Sequence, residues 1–281
     1  MGQIKTCAAL LAAGFLLASC AHQPLPPLSG RYVSLGSSFA AGTALGGVKP
    51  DTPERCGRSA ANYATLLASR LGLELTDTAC GGATTAHVLG PWNELPPQID
   101  AVTPQTRLVT ITIGGNDLGY VRNLVAASCD PAKGISLGGR TLACPAIKEP
   151  TEADYARTED GLRQIARTVK QRAPGARVIF VQYVRLVPDA ACSGLKLSPV
   201  DAAITRTIGQ RLAKLTMRAA AAEGAEVLAA DQLSVGHTPC AKQPWSAGPQ
   251  PTGPAANAPW HPNMAGHAAL AEALARQLGV R

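Results

Sequence analysis

Five short runs of apolar and β-branched residues, set apart by longer stretches of helical periodicity, restrict this chain's fold more than any other feature. Such alternation builds β-α units, and β-α units in series give a parallel sheet covered by helices. The runs are Arg31 to Leu35, Leu73 to Thr78, Arg107 to Ile113, Arg177 to Val184 and Ala225 to Ala230. Between them, Ser59 is the expected cap of a helix that buries Tyr63, Leu66, Leu67 and Leu71 and closes at Gly72. Thr151 to Asp154 forms a capping box ahead of Tyr155, Leu162, Ile165 and Val169, in a helix that stops at Pro174-Gly175. Ser198 and Pro199 open another helix, with Ile204, Ile208, Leu212 and Leu215 on one side, and a last helix buries Leu270, Leu274 and Leu278. A chain of 281 residues is long enough for one large core. Neither an internal repeat nor a linker interrupts it after Gly30, so 31–281 is expected to be one domain.

Three of the runs end in small and polar residues: Gly36-Ser37-Ser38, Cys80-Gly81-Gly82 and Gly114-Gly115-Asn116-Asp117. Ligands of open α/β sheets sit beyond the carboxyl ends of the strands, so these turns are expected to meet at one edge. Small residues there let the backbone turn sharply and come close to a substrate. Cys129 to Cys144 reads as a loop. The stretch 231–263 is too long and too rich in proline and glycine for an ordinary connection. It holds His237 and Cys240 and delivers Trp260-His261-Pro262-Asn263 to the last helix.

Met1 to Ser19 carries one charged side chain, Lys5, and then an apolar run too short to span a bilayer, as a secretory signal does. It ends in Leu17-Ala18-Ser19-Cys20, which resembles the lipobox of bacterial lipoproteins. That resemblance implies cleavage before Cys20, a lipid on Cys20, membrane attachment through that lipid and, with Ala21 after the cysteine, the outer membrane if the source is Gram-negative. The proline-rich 20–30 is then a tether. Six cysteines follow, Cys56, Cys80, Cys129, Cys144, Cys192 and Cys240, an even number that suggests disulfides in an exported chain. They allow fifteen pairings. No two have the short spacing of a zinc site, so no metal is expected. The formal charge of +7 is a mild excess without a basic, aromatic-rich cluster, which argues against nucleic acid as a partner.

Taken in order, Gly36-Ser37-Ser38, Gly82, Gly115-Asn116-Asp117 and His261 resemble the blocks of the SGNH or GDSL hydrolase family, from about Tyr32 to Leu278. The resemblance implies a flavodoxin-like three-layer α/β/α sandwich around a parallel five-stranded sheet, and an esterase or lipase that works without a cofactor. It makes Ser38 the nucleophile and His261 its base. The Ser38 N–H, the Gly82 N–H and the Asn116 amide become the oxyanion hole. Two departures stand out. Ser37 occupies the position of the family's usual aspartate, and Ala258-Pro259-Trp260-His261 lacks the acidic partner of the histidine. An imidazole still needs its tautomer set, and a main-chain carbonyl can do so. The branch typified by a Streptomyces scabies esterase is known for such a Ser-His dyad, which here implies the carbonyl of Ala258. The same branch implies the pairs Cys56 with Cys80, Cys129 with Cys144, and Cys192 with Cys240.

Other residues compete for these roles. Gly134-Ile135-Ser136-Leu137-Gly138 matches a G-x-S-x-G elbow but lacks the strand and helix that motif needs. His267 falls on the buried face of the last helix and reads as a packed core histidine. His87 and His237 read as solvated loop histidines, Trp260 as a wall of the cleft, and Asp117 as a cap of the turn after Asn116. The expected activity is hydrolysis of acyl esters or lipids by an exported, monomeric enzyme through an acyl-serine intermediate. Deacetylation of envelope or plant polysaccharide is a second enzymatic reading, weakened by an aromatic content of 4%. A catalytically silent, partner-binding lipoprotein is a third, opposed by the retention of all four blocks.

Overall fold

The computed structural model describes residues 30–137, 140–190, 192–250 and 258–280. The expected signal segment, Cys20 and nearly all of the tether lie outside the described residues. The strands are β1 (Arg31–Gly36), β2 (Glu74–Asp77), β3 (Thr106–Thr112), β4 (Ile135–Leu137), β5 (Arg140–Leu142), β6 (Arg177–Val181) and β7 (Glu226–Leu228). The helices are α1 (Ser38–Ala41), α2 (Tyr63–Leu71), α3 (Thr85–Leu89), α4 (Tyr120–Ser128), α5 (Glu152–Arg172), α6 (Pro199–Ala222), α7 (Ala230–Leu233) and α8 (Met264–Gln277).

Five strands form one parallel sheet in the order β2-β1-β3-β6-β7. Chain order runs outward from β1 in both directions. Right-handed crossovers therefore place α2, between β1 and β2, on one face, and α3, α5 and α6, which cross the other way, on the opposite face. The packing follows: α2 lies against α8, while α5 lies against α6 and α3. Covered on both sides, the central β3 carries Leu108, Val109 and Ile111 fully buried, the near-continuous apolar run of a doubly covered strand. Its three buried threonines are all bonded: Thr106 Oγ1 accepts the Thr103 N–H at 3.0 Å, Thr110 pairs with the hydroxyl of Tyr32 at 2.7 Å, and Thr112 pairs with that of Tyr63 at 2.9 Å.

All five expected strands of the sheet form. The long helices begin where their caps stand, with Thr151 and Asp154 in a reciprocal capping box and Ser198 accepting from the Asp201 N–H. Ser59 is different. Asn62 caps α2 by accepting from the Thr65 N–H, while Ser59, three residues earlier, donates its hydroxyl to the Leu45 carbonyl and its N–H to Ala41. The 129–144 stretch is also more ordered than its composition suggests, since β4 and β5 pair in an antiparallel hairpin. Disulfides join Cys56 to Cys80, Cys129 to Cys144 and Cys192 to Cys240. In the loop-entropy picture each is worth about 2–4 kcal/mol.

A candidate active site at the switch point of the sheet

Strand order reverses at β1, which has β2 on one side and β3 on the other, and ligands of this sheet type bind beyond that point. The turns after β1, β2 and β3 all lie there. The first depends on Gly36, whose φ of +147° belongs to glycine and where a Cβ would come within 2.4 Å of the Thr112 carbonyl. Gln98 holds this glycine from the side: its Oε1 accepts the Gly36 N–H at 2.7 Å, and its Nε2 donates to the Gly36 carbonyl at 3.0 Å. The Ser37 N–H then reaches the Thr112 carbonyl at 2.9 Å, and the chain coils at once into α1 with Ser38 as its first residue.

His261 comes from the opposite end of the sequence. Its Nε2 lies 2.8 Å from the Ser38 hydroxyl, and its Nδ1 lies 2.7 Å from the carbonyl of Pro259. The expectation for Ala258 is therefore corrected, because the Ala258 carbonyl accepts the main-chain N–H of His261 at 3.2 Å and not the ring. The cause is the turn between them: Trp260 stands at φ +60°, a left-handed conformation that reverses the chain and aims the Pro259 carbonyl back at the imidazole. Trp260 sustains that strain by burial. It is fully enclosed, not a cleft wall, and its indole N–H donates to the Ser128 hydroxyl at 3.1 Å. The segment is also zipped to Trp245–Gly248 by main-chain bonds from Ala247 to His261, Trp260 to Gly248 and Asn263 to Trp245.

A carbonyl is a neutral acceptor. With Nδ1–H donated to Pro259, Nε2 is left unprotonated and faces the serine hydroxyl as an acceptor. Burial holds the imidazole below the usual histidine pKa, partly offset by the bond to Pro259.

Gly82 and Asn116 are brought to the same edge. Gly81 and Ala83 spend their N–H groups on the Cys56 and Cys80 carbonyls, while among the described residues the N–H groups of Gly82 and Ser38 meet no acceptor. Asn116 gives one amide hydrogen to the Ala83 carbonyl at 2.8 Å, which ties the β3 turn to the β2 turn and leaves its second hydrogen for a ligand. Asp117 caps a different element than expected. Its carboxylate accepts from the N–H and hydroxyl of Thr85 at the start of α3, and burial raises its pKa.

Tyr183 was not a candidate in the sequence. Buried past the end of β6, it pairs its hydroxyl with Ser37 Oγ at 2.8 Å and accepts the Gly115 N–H at 3.1 Å. One phenol thus couples the turn before Ser38 to the turn before Asn116. Its ring packs on Phe39, which in turn contacts the His261 ring. The position usually held by an aspartate, Ser37, is satisfied by this hydroxyl without a charge. A tyrosine closing a central strand next to the ligand edge was the available signal.

The remaining candidates fall elsewhere. Ser136 lies in β4, whose chain returns as antiparallel β5 and not as a helix; Gly138 of its motif is outside the described residues. His87 stacks on Trp92 and His237 on Trp245, each with ring planes within 8°. His267 is fully buried under Tyr63.

Residues 34–269 match the sequence profile of the GDSL-like Lipase/Acylhydrolase family. The chain is 36% identical over 219 residues to Lipase 2 of Streptomyces coelicolor, covering 74% of this chain and 72% of that one. It is 28% identical over 197 residues to an esterase of Streptomyces scabiei, covering 59% and 56%. Among solved structures, the extracellular lipase of Streptomyces rimosus superposes with a TM-score of 0.68 at 26% identity, covering 88% of this chain and 98% of that one.

Proposed function

The chain belongs to the GDSL-like lipase/acylhydrolase family and is a carboxylic ester hydrolase, and from that premise we propose that it works through an acyl-Ser38 intermediate with a Ser38-His261 dyad. The observation that carries this reading is the chain of contacts from Ser38 Oγ to His261 Nε2 and from His261 Nδ1 to the Pro259 carbonyl. Ser38 Oγ attacks the ester carbonyl carbon as its proton passes to Nε2. The oxygen that becomes negative is met by the N–H groups of Ser38 and Gly82 and by the free hydrogen of Asn116 Nδ2. Collapse breaks the bond to the alcohol, which leaves with the proton from Nε2. Water then repeats the sequence, delivering its proton to Nε2 and its oxygen to the acyl carbon, and Ser38 is restored.

Export and a lipid on Cys20 belong to the same proposal. Supporting them are the Leu17-Ala18-Ser19-Cys20 run, the three disulfides, which form and persist in oxidising compartments, and the description of the Streptomyces rimosus relative as extracellular.

A fluorophosphonate probe tests the nucleophile. It should modify Ser38 alone, as read by peptide mapping. The labelling rate should rise with pH through a midpoint below 6.5, because the burial-lowered pKa of His261 keeps the imidazole neutral, and so a base, into mildly acidic solution. Modification of another residue, or none at any pH, would overturn the assignment.

Tyr183→Phe isolates the hydroxyl that couples the two turns. It keeps the packed ring and leaves the buried Gly115 N–H without its acceptor, for a cost of about 1–3 kcal/mol in stability. Loosened registry between Ser38 and Asn116 should lower kcat by about ten- to a hundredfold with little change in KM. Urea unfolding and steady-state kinetics on the same preparation measure both; an unchanged kcat would reduce Tyr183 to a packing residue.

A further inference from the structure

Beside the site lies a cavity of about 210 Å³ that the proposed chemistry does not use, walled by His87, Trp92, Leu95 and Pro96 over a floor of Arg58 and Gln98. Its outer wall is built by a tight reversal. Trp92 and Leu95 exchange both main-chain hydrogen bonds, at 2.9 and 3.0 Å, across Asn93 at φ +53°, a conformation asparagine tolerates. That pairing sets the two side chains next to each other on one face. The indole is then fixed in place, with the His87 ring stacked 4.2 Å away and the Arg55 guanidinium 4.2 Å from its centroid. Arg55 also donates to the Trp92 carbonyl at 2.9 Å and pairs with Glu94 at 2.6 Å.

Two residues that line this cavity touch turns of the active site. Trp92 covers Gly82 so closely that a Cβ on that glycine would come within 3.2 Å of the indole. Gln98 is the residue that grips both main-chain groups of Gly36, two positions before Ser38. The polar groups in the floor are engaged with the protein: Gln98 with Gly36, and Arg58 with the carbonyls of Ala79 at 2.6 Å and Thr78 at 3.3 Å. What the space offers a ligand is therefore chiefly apolar surface. Its position relative to His261 also matters. The histidine precedes α8, which packs with α2, whereas the cavity borders α3 and the Gln98–Ala101 turn, which pack with α5 across the sheet. His261 must protonate the departing alcohol, so the alcohol side of a bound ester faces His261 and the other substituent of the carbonyl runs away from it, past Gly82.

We propose that this cavity receives the acyl chain of the ester and that its volume sets a preference for chains of about six to eight carbons. The length follows from scale, since an apolar cavity of about 150 Å³ accommodates the six carbons of benzene. The inference rests on Ser38 being the nucleophile.

The test compares kcat/KM for p-nitrophenyl esters from acetate to palmitate in the full-length chain and in Leu95→Trp, Leu95→Ala and Ser38→Ala. A second series of alkyl acetates varies only the alcohol. The native chain should peak at hexanoate or octanoate. Each buried methylene is worth about fourfold, so Leu95→Trp, which fills the space, should lower the octanoate-to-acetate ratio by at least about tenfold. Leu95→Ala should move the peak about two carbons longer and carries the test should the larger residue prevent folding. A native acyl profile in a folded Leu95→Ala whose Ser38 still takes a fluorophosphonate would overturn the acyl pocket and spare the nucleophile. So would a Leu95 effect confined to the alcohol series. Hydrolysis that survives in Ser38→Ala would overturn the nucleophile and the pocket together.

Discussion

Replacing Ser38 by alanine should lower kcat/KM for carboxylic esters by at least about 10⁴-fold while leaving the fold in place. The size follows from the role: without Oγ no acyl-enzyme forms, and what remains is the binding and oxyanion stabilisation available to a direct attack by water. His261→Ala should cost a comparable factor. The double variant should be little worse than either single one, because a nucleophile and its base act as a unit. The folded state loses one hydroxyl and its hydrogen bond to His261, about 0.5–1.5 kcal/mol, so the thermal midpoint should move by only a few degrees. Hydrolysis of p-nitrophenyl esters, read beside a melting curve, separates catalytic loss from unfolding. Ser136→Ala is the control, since Ser136 pairs with Thr141 in the β4–β5 hairpin and belongs to none of the three turns, and its kinetics should match the native chain. Activity kept in Ser38→Ala and lost in Ser136→Ala would transfer the nucleophile to the second serine.

The second large effect concerns acid stability. His267 is completely buried, and its Nδ1 accepts the Tyr63 N–H at 3.1 Å, which puts its proton on Nε2. Nε2 finds no partner among the described residues. A second proton would have to displace the bond from Tyr63 and place a cation in the core. Burial foremost, and then the proximity of His261, push its pKa down to about 3. In the unfolded chain the same group titrates near 6.5. Between these values the unfolded state binds the proton and the folded state does not, so stability falls as pH drops through 6.5 and goes on falling until about pH 3. The accumulated loss is about 4 kcal/mol. Urea unfolding at pH 7, 5, 4 and 3 in the native chain and in His267→Gln measures it. The glutamine can still accept from Tyr63 but does not titrate, so the two stability curves should converge toward acid by about that amount. Parallel curves would show that His267 is protonated in the folded protein.

Much of the architecture was written in local sequence. Period and β-branching marked the five strands of the sheet; Thr151 with Asp154 and Ser198 with Pro199 marked where long helices start. These are preferences of a few neighbouring residues for particular φ and ψ, and they survive in almost any tertiary setting. Ser59 failed for the same reason that it looked right. A serine ahead of an apolar helical pattern is a good cap, but Asn62 stands closer, and the main chain at Ser59 is committed to Ala41.

The pairs Ser38 with His261 and Gly82 with Asn116 were legible through their blocks, because residues at the carboxyl ends of parallel strands must converge at the switch point. What holds them there was not. The choice between the Ala258 and Pro259 carbonyls turns on the orientation of one peptide plane, decided by the left-handed Trp260 and by the burial of its indole against Ser128. Tyr183 and Gln98 act on glycine turns 68 and 62 residues away, and no local pattern encodes such a reach. The residues alone left fifteen pairings of six cysteines open; the family resemblance implied Cys56 with Cys80, Cys129 with Cys144 and Cys192 with Cys240, and those three pairs form. Strand, turn and cap follow from short-range sterics and hydrogen bonding, which a sequence carries position by position. The direction of a carbonyl, the partner of a buried hydroxyl and the shape of a cavity follow from close packing of the whole core, where each group is placed by residues distant in the chain.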